Sequence, residues 1–165
     1  MATTLRTILF ILLYAFITQL QFNLDADKTA TRQVKNTLEL AVHDASLAIL
    51  PESISEGKIV FDQIVATSNF KKSLEVNLSV TSTSGNIFNP TENSFFKHDL
   101  QVVELEFIDD SVPRTYPFVY YNSKYKIIEN VDGPCIIAVL TTESPRWFKG
   151  DTSLIRQAAV YEYKK

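Results

Sequence analysis

The first fifty residues carry apolar side chains in two different arrangements. From residue 8 to residue 17 every side chain is apolar, and no charged residue occurs between Arg6 and Asp25. Beyond Asp27 the apolar positions form a stripe with alternating spacings of four and three residues, which is the spacing of one helix face. The stripe comprises Val34, Leu38, Ala41, Ala45 and Ala48. The pattern therefore predicts one helical segment that is apolar on all sides and a following segment that packs through one face.

A single helix can contain both segments, because residues 1–50 include neither glycine nor proline, the residues that most often interrupt helices. Pro51 is expected to end this helix, since proline has no amide donor and disfavours helical geometry in the residue before it. We therefore predict a membrane anchor over residues 1–24 and an amphipathic helix over residues 25–50. Such a helix extends about 70 Å, roughly twice the hydrocarbon core of a bilayer, so about half of it projects beyond a membrane.

The apolar segment has three interpretations: a retained anchor, a cleaved signal peptide and a buried core helix. About 20 apolar residues suit a span and roughly 10 to 14 suit a signal core, which leaves the segment between the two. The residues after its apolar core are large or polar, unlike those before a signal cleavage site, and this favours a single uncleaved span. The side chains expected to face lipid or neighbouring helices are Ile8, Leu9, Phe10, Ile11, Leu12, Leu13, Ala15, Phe16, Ile17, Leu20 and Phe22.

Charges beside the apolar segment disagree with an exported domain. Arg6 precedes the segment, whereas Lys28, Arg32 and Lys35 follow it. Positive charge is enriched on the cytoplasmic side of membrane helices. By this rule alone, residues 25–165 would lie in the cytoplasm.

After Pro51 the sequence predicts a second helix over about residues 59–78. Phe70, Leu74 and Leu78 follow one another at intervals of four residues, which places them on one helix face. The next stretch, residues 79–94, is polar and contains Gly85, Pro90 and three asparagines. These turn-forming residues predict a loop.

From residue 100 onward the apolar period changes to two, which is the period of a strand. Val103, Leu105 and Phe107 alternate with glutamates, as a strand with one buried and one wet face requires. Further strands are predicted at residues 116–121, 125–129, 135–142 and 154–163, with short turn-forming connections that suit antiparallel pairing. Helices followed by strands predict an α+β domain, in which an antiparallel sheet over about residues 100–163 packs against the amphipathic half of the long helix.

Composition limits the chain to one ordinary domain without a nucleic-acid-binding surface. The 165 residues are 45% hydrophobic, and the net charge is −3. Because basic and acidic residues are mixed, no basic stripe matches a phosphate backbone. The single cysteine, Cys135, excludes an internal disulfide and a metal site built on paired thiolates. We expect this residue to be a buried, inert thiol.

Candidate catalytic and metal-binding residues are few and isolated. His43 and Asp44 are adjacent on the long helix, where neighbouring side chains point about 100° apart, so we expect that they cannot converge on one ligand or proton. His98 precedes a strand without a motif around it. Asp109 and Asp110 lack the ordered oxygen ligands of a calcium loop. We therefore expect no enzymatic activity, cofactor, bound metal or small-molecule substrate.

An aromatic cluster in the predicted sheet has two interpretations, a ligand-binding face and ordinary sheet packing. We favour packing, because aromatic side chains are enriched in strands and pair across them. The cluster comprises Tyr116, Phe118, Tyr120, Tyr121 and Tyr125.

An apolar helix that continues into an alanine-bearing helix and then a small sheet resembles the type IV pilin superfamily. The run AVHDASLA at residues 41–48 is similar to the alanine-rich stretch beyond the membrane segment in minor pilin-like proteins of tight-adherence (Tad-type) systems. The resemblance covers about the first 50 residues. It implies a pilin-like fold, an extracytoplasmic domain, and homo- or hetero-oligomers with other pilin-like subunits. The small residues Ala15, Ala26 and Ala30 are expected to permit close helix approach.

Two departures from type IV pilins bear on the expected role. The apolar run contains no glutamate, and no glycine precedes it as a prepilin peptidase site. A minor or accessory subunit of a surface filament or secretion machine, one that keeps its N-terminus, fits the sequence better than a major subunit. The alternative function is a membrane-tethered envelope module that binds a ligand and does not polymerise.

Overall fold

The computed structural model describes residues 2–163. Met1, Lys164 and Lys165, at the outer ends of the predicted segments 1–24 and 25–165, lie outside the described residues. Within the described range, three helices precede seven strands. They are α1 (Ala2–Ser46), α2 (Pro51–Ser55), α3 (Gln63–Leu78), β1 (Val80–Ser84), β2 (Ile87–Pro90), β3 (Leu100–Ile108), β4 (Phe118–Asn122), β5 (Ile127–Val131), β6 (Cys135–Glu143) and β7 (Leu154–Glu162).

The long helix α1 packs on one face of a five-stranded antiparallel sheet. The strand order is β1-β2-β3-β6-β7, and α1 contacts β6, β7 and α3. This arrangement confirms the predicted α+β fold, with a long N-terminal helix on a small antiparallel sheet. The core begins in the second half of α1, because the buried side chains of this helix lie at or beyond Ala26.

The main core forms where the apolar stripe, which lies on α1 and continues to Ala48 just past its end, meets the sheet and α3. Val34, Leu38, Ala41 and Ala45 are 0% exposed and Ala48 is 8% exposed. They share one cluster with Phe70 and Leu74 of α3, with Phe88 of β2, and with Ile136, Ala138 and Leu140 of β6. Because the stripe contains three alanines, the helix can approach the sheet closely, while the large side chains of the neighbouring elements fill the remaining space.

The long helix ends at Ser46, four residues before the predicted end at residue 50. The chain then turns, and Leu50 N donates to Val60 O (2.9 Å) while Asp62 N donates to Ala48 O (2.9 Å). Pro51 opens the short helix α2, a position where its missing amide proton is not needed. The prediction was wrong because the proline marks the start of a second helix, and the end of α1 is set by pairing with a distant segment.

Helix α3 begins at Gln63, later than the predicted start at residue 59. The Asp62 side chain caps it by accepting hydrogen bonds from Ile64 N and Val65 N, both 3.1 Å long. An N-cap residue has extended backbone, and the residues just before Asp62 are extended as well. In that segment Phe61 pairs with Ile49 in an isolated bridge.

The stretch predicted as a loop, residues 79–94, contains the hairpin of β1 and β2 instead. Gly85 makes the turn with φ +58°, a backbone conformation that suits glycine. Val80 and Phe88 are buried on its inner side. The loop prediction was wrong because the hairpin is short and its outward residues are polar, so the turn chemistry masked two brief strands.

The predicted single sheet is divided into two. Strands β4 and β5 form a separate two-stranded hairpin, which packs through a second core on the face of the large sheet opposite α1. A β-bulge between Val102 and Glu104 turns Val103 toward this second core, while Leu105 and Phe107 contact the main core. The alternation predicted for these three residues is therefore broken. The buried members of the second core are Ile108, Tyr120, Ile127, Val131, Cys135, Ile137 and Val139.

Candidate functional site

The first half of α1 extends from the folded domain and is largely uncovered. In the described stretch from Thr3 to Leu24, which we call the projecting segment, no side chain is buried. The helix is long and apolar enough to cross a membrane. The third interpretation of this segment, a buried core helix, is therefore wrong, because residues 3–24 lie outside the core of the chain.

The residues predicted to face lipid or neighbouring helices are exposed on all sides of the projecting segment. Every member of that set, from Ile8 to Phe22, is solvent-accessible in the isolated chain. Two threonines of the projecting segment form hydrogen bonds within the helix. Thr7 Oγ1 donates to Thr3 O (3.0 Å), and Thr18 Oγ1 donates to Tyr14 O (2.9 Å). Such internal hydrogen bonds lower the cost of placing hydroxyl groups in hydrocarbon.

The three small residues expected to permit close helix approach are separated by the structure. Ala15 is exposed on the projecting segment. Ala26 and Ala30 are 3% and 0% exposed, covered by the domain of the same chain. The latter two are therefore unavailable for contact with a second helix, and their small size serves packing within the chain.

The connection between β6 and β7 docks on α1 where the projecting segment ends. We call residues 144–153 the collar loop. Asn23 holds it with both ends of its side-chain amide. Its Oδ1 accepts hydrogen bonds from Trp147 N and Phe148 N, both 3.2 Å long, and its Nδ2 donates to Phe148 O at 3.4 Å. One side chain of the long helix thus fixes two consecutive residues of the loop.

A charged pair one helical turn further along α1 fixes the base of the collar loop. Arg146 Nη1 donates to the carboxylate of Asp27, while Arg146 Nε donates to Asp151 O (2.7 Å) and Nη2 to Ser153 Oγ (3.0 Å). Partial burial raises the pKa of Asp27. Hydrogen bonds from Arg146 and Ser144 and the charge of Arg146 outweigh this effect, so the pKa lies below its ordinary value of 3.8. The carboxylate therefore stays ionised where the loop needs it.

The tip of the collar loop presents aromatic side chains beside a lysine. Trp147 is 58% exposed and Phe148 is 39% exposed, and Lys149 follows them. Phe148 lies 6.0 Å from Phe22 between ring centroids, and Trp147 lies 6.2 Å from Phe95. Sequence reasoning missed this surface. The run Trp-Phe-Lys between Pro145 and Gly150 was its only local signal, and nothing in the sequence showed that it meets Asn23.

The two histidines lie beside carboxylates, and one of them also packs against a tyrosine ring. The His43 ring packs edge-on against Tyr161, with centroids 4.9 Å apart. Its Nδ1 lies 3.5 Å from Asp44 Oδ1 but has no hydrogen-bond partner among the described residues, so these two neighbours share no proton. His98, in the connection before β3, has its Nδ1 3.8 Å from Glu143 Oε2.

The remaining candidate residues hold the fold together. Asp109 accepts a hydrogen bond from Phe61 N (3.1 Å) and Asp110 accepts one from Ile59 N (2.9 Å), which ties the extended segment before α3 to the end of β3. Cys135 is 0% exposed, and burial raises the pKa of its thiol to about 12. Over residues 2–163 no group of three or more acidic, histidine or cysteine side chains is arranged to hold a metal ion.

The aromatic cluster is divided between the second core and solvent. Tyr116, Phe118, Tyr120 and Tyr125 pack into or against the second core, and Tyr120 OH donates to Glu106 Oε2 at 2.7 Å. Only Tyr121 among the five is exposed, at 66%. On the outer face of the β4–β5 hairpin it is accompanied by Val119 and Ile128, which are also exposed.

Fold and site together define an α+β domain carried on one long apolar helix that is compatible with a single membrane span. A signal sequence meets the same criteria of length and composition. Comparison with known proteins gives no match to a family model, to a curated protein or to a solved structure. Function is therefore inferred from the geometry of the chain itself.

Proposed function

We propose that the protein is a single-pass membrane protein that serves as a structural or accessory, minor pilin-like, subunit of a bacterial surface filament or secretion machine. The observation that carries the proposal is the continuity of α1. One uninterrupted helix joins a projecting segment that has no buried side chain to a segment that forms part of the core of the domain. In this proposal residues 1–24 are retained, and the domain lies outside the cytoplasm.

An apolar helix surface of this kind requires a cover other than water. Leucine, isoleucine and phenylalanine side chains surround the projecting segment, and each contributes roughly 1.5 to 3 kcal/mol when it leaves water. Lipid supplies the cover for a single subunit, and neighbouring subunits supply it in an assembly. Because α1 is continuous, packing of the projecting segments would place the attached domains in a regular array. This geometry supports homo- or hetero-oligomers with other pilin-like subunits.

Site-directed cross-linking tests the assembly. In a Cys135→Ala background, single cysteines are placed at each position from 8 to 24 and oxidised in native membranes. We expect cross-links at helical spacing on one face of α1, and we expect Ala15→Phe to reduce assembly if position 15 lies on that face. A cysteine at Leu47, exposed at the far end of the domain, serves as the control for random collision. Uniform absence of cross-links, together with full function of Ala15→Phe, would contradict the assembly.

Retention of the anchor has a separate test. N-terminal sequencing of the mature protein from its native host should give a start before residue 8 in the membrane fraction. A start between residues 18 and 30 in a soluble fraction would show that the segment is a cleaved signal.

A membrane-tethered binding module is the second candidate function, favoured by the outer face of the β4–β5 hairpin. Val119, Tyr121 and Ile128 are between 64% and 67% exposed, which is a small apolar surface that the residues described by the structure leave uncovered. Replacing Tyr121 and Ile128 with serine should leave the fold intact. If this double variant loses function while the projecting segments show no cross-links, the binding module is the better account.

A further inference from the structure

The collar loop lies at the level where a membrane surface would cross α1. A helix from Leu5 to Leu24 extends about 30 Å, which equals the hydrocarbon thickness of a typical bilayer. The first charged residue after this stretch is Asp25. Asn23, which holds the collar loop, therefore falls at the end of the apolar stretch, where hydrocarbon gives way to headgroups.

Contacts on α1 fix the height of the loop relative to that boundary. Asn23 binds the backbone of Trp147 and Phe148, and Asp27 binds the Arg146 side chain one turn further from the membrane. Phe148 also meets Phe22 at a centroid distance of 6.0 Å. The tip of the loop is thus placed at the end of the apolar stretch, and the base of the loop is placed beyond it.

The exposed side chains of the loop match the chemistry of a membrane–water interface. Tryptophan is enriched at the headgroup level because its ring is apolar while its N–H donates a hydrogen bond. Trp147 is more than half exposed although it packs against Phe95 on one side. Lys149 adds a cation that can pair with a lipid phosphate, while its methylene chain stays near apolar atoms.

We propose that the collar loop is an interfacial anchor that seats the domain on the lipid bilayer. Trp147 and Phe148 enter the headgroup region beside α1, and Lys149 pairs with lipid phosphate. This inference rests on the proposed retention of the projecting segment as a span, because the span brings the loop to the membrane. A neighbouring subunit could also cover the loop. The combination of an indole and a lysine at the end of a bilayer-length helix favours lipid.

Trp147 is the only tryptophan of the chain, so intrinsic fluorescence reports on this loop directly. The full chain is reconstituted into phosphatidylcholine vesicles whose acyl chains carry bromine either near the headgroup end or near the terminal methyl group. We expect a blue-shifted emission, strong quenching by the shallow bromine and weaker quenching by the deep bromine. Aqueous acrylamide should quench Trp147 less in vesicles than in the chain unfolded in urea.

A matched variant controls for depth. Ile54 on α2 is 56% exposed, close to the exposure of Trp147, and it lies past the far end of α1. In the double variant Trp147→Phe, Ile54→Trp, the tryptophan should be insensitive to bromine at either depth and open to acrylamide. Equal bromine quenching of a tryptophan at position 147 and of one at position 54 would overturn the proposal. It would show that the whole domain collides with lipid.

Failure of the inference can be told apart from failure of the proposed span. In the Cys135→Ala background, a cysteine at Leu13 is treated with a membrane-impermeant maleimide in the same vesicles. A protected cysteine with unquenched Trp147 would overturn the interfacial anchor alone. A reactive cysteine would overturn both. An emission that shifts with protein density but not with bromine would assign the loop to a neighbouring subunit and overturn the lipid proposal.

Discussion

The two halves of α1 share one backbone and differ in how their apolar side chains are distributed. In the projecting segment the large apolar residues face every direction and none is buried. In the packed segment, residues 25–46, the apolar stripe is buried while the opposite face is charged. Lys35 and Glu39 on that face form an ion pair of 3.9 Å at the i, i+4 spacing. Direction of the side chains, more than the amount of apolar surface, therefore separates the two halves.

Side-chain size differs between the halves for the same reason. Leucine, isoleucine and phenylalanine dominate the projecting segment, whereas alanine recurs along the packed segment. Small residues let the helix axis approach the sheet, and large residues present more apolar surface to a fluid surrounding. The comparison predicts that mutations will affect domain stability in the packed segment and membrane behaviour in the projecting segment.

Truncation should give the largest difference between the halves. A chain that begins at Asp25 keeps the whole stripe and should unfold cooperatively on heating, while a chain that begins at Pro51 should show no cooperative transition. Removing one core Leu or Val costs about 2 to 5 kcal/mol, and the free energy of unfolding of a small domain is about 5 to 15 kcal/mol. The cost of losing the whole stripe therefore exceeds the free energy of unfolding. Calorimetry of both chains is the measurement. A cooperative transition in the shorter chain would mean that the sheet folds without α1.

One substitution made in both halves gives the next effect. Leu38→Ala removes a side chain that is 0% exposed and should lower the free energy of unfolding of the domain by about 2 to 5 kcal/mol. Leu13→Ala, in the projecting segment, should change it by less than about 0.5 kcal/mol. Urea unfolding of the full-length variants in the same detergent measures both. Similar losses for the two variants would contradict the division of the helix.

The ion pair at the start of the packed segment should give a smaller, pH-dependent effect. Because the folded-state pKa of Asp27 is lowered, its contribution is present above the unfolded pKa of about 3.9. It is lost as pH falls through the folded pKa. Asp27→Asn should therefore cost about 1 kcal/mol at pH 7, and this cost should shrink as the pH falls below about 3.9. Urea titrations from pH 7 to pH 3 measure this. An equal cost of Asp27→Asn across this pH range would contradict a contribution from the ionised carboxylate.

The smallest effect on global stability is expected at the junction of the halves. Asn23→Ala removes the three hydrogen bonds to the collar loop. The free energy of unfolding of the domain should change by less than about 0.5 kcal/mol. The free energy of opening the loop should fall by about 1 kcal/mol. This corresponds to roughly five-fold faster hydrogen exchange at the amides of Trp147 and Phe148. Exchange measured by NMR in micelles tests this. Gln19→Ala, one turn earlier on α1, should leave that exchange unaffected.

Elements with a sustained period could be predicted from the sequence, and elements set by distant contacts could not. The buried stripe follows from its spacing alone, and strand β6 follows from a continuous apolar run. The end of α1 at Ser46 depends on backbone pairing with Val60 and Asp62, which no local pattern reveals. The second sheet was missed because Glu106 suggests a wet face, whereas its carboxylate accepts a hydrogen bond from Tyr120.

The candidate site divides in the same way. The projecting segment is a local property of about twenty consecutive residues, so hydropathy alone indicates it. The collar loop requires Asn23 to meet Phe148, which is 125 residues away in sequence. A single asparagine after an apolar run and a Trp-Phe-Lys tip carry no shared pattern. Only the antiparallel pairing of β6 with β7 brings their connection to that end of the domain.

Because the backbone of α1 is unbroken, a tilt of its first half would displace the domain. Ser46 lies about 33 Å beyond Leu24 along the helix axis, and the described helix contains no glycine or proline at which it could bend. Membrane helices tilt by about 20° on average, so such a tilt would displace the far end of α1 sideways by about 10 Å. A pull on the outer sheet would in turn rotate the helix within the bilayer. If α1 spans a membrane as proposed, its tilt and the position of the domain are therefore coupled through one continuous helix.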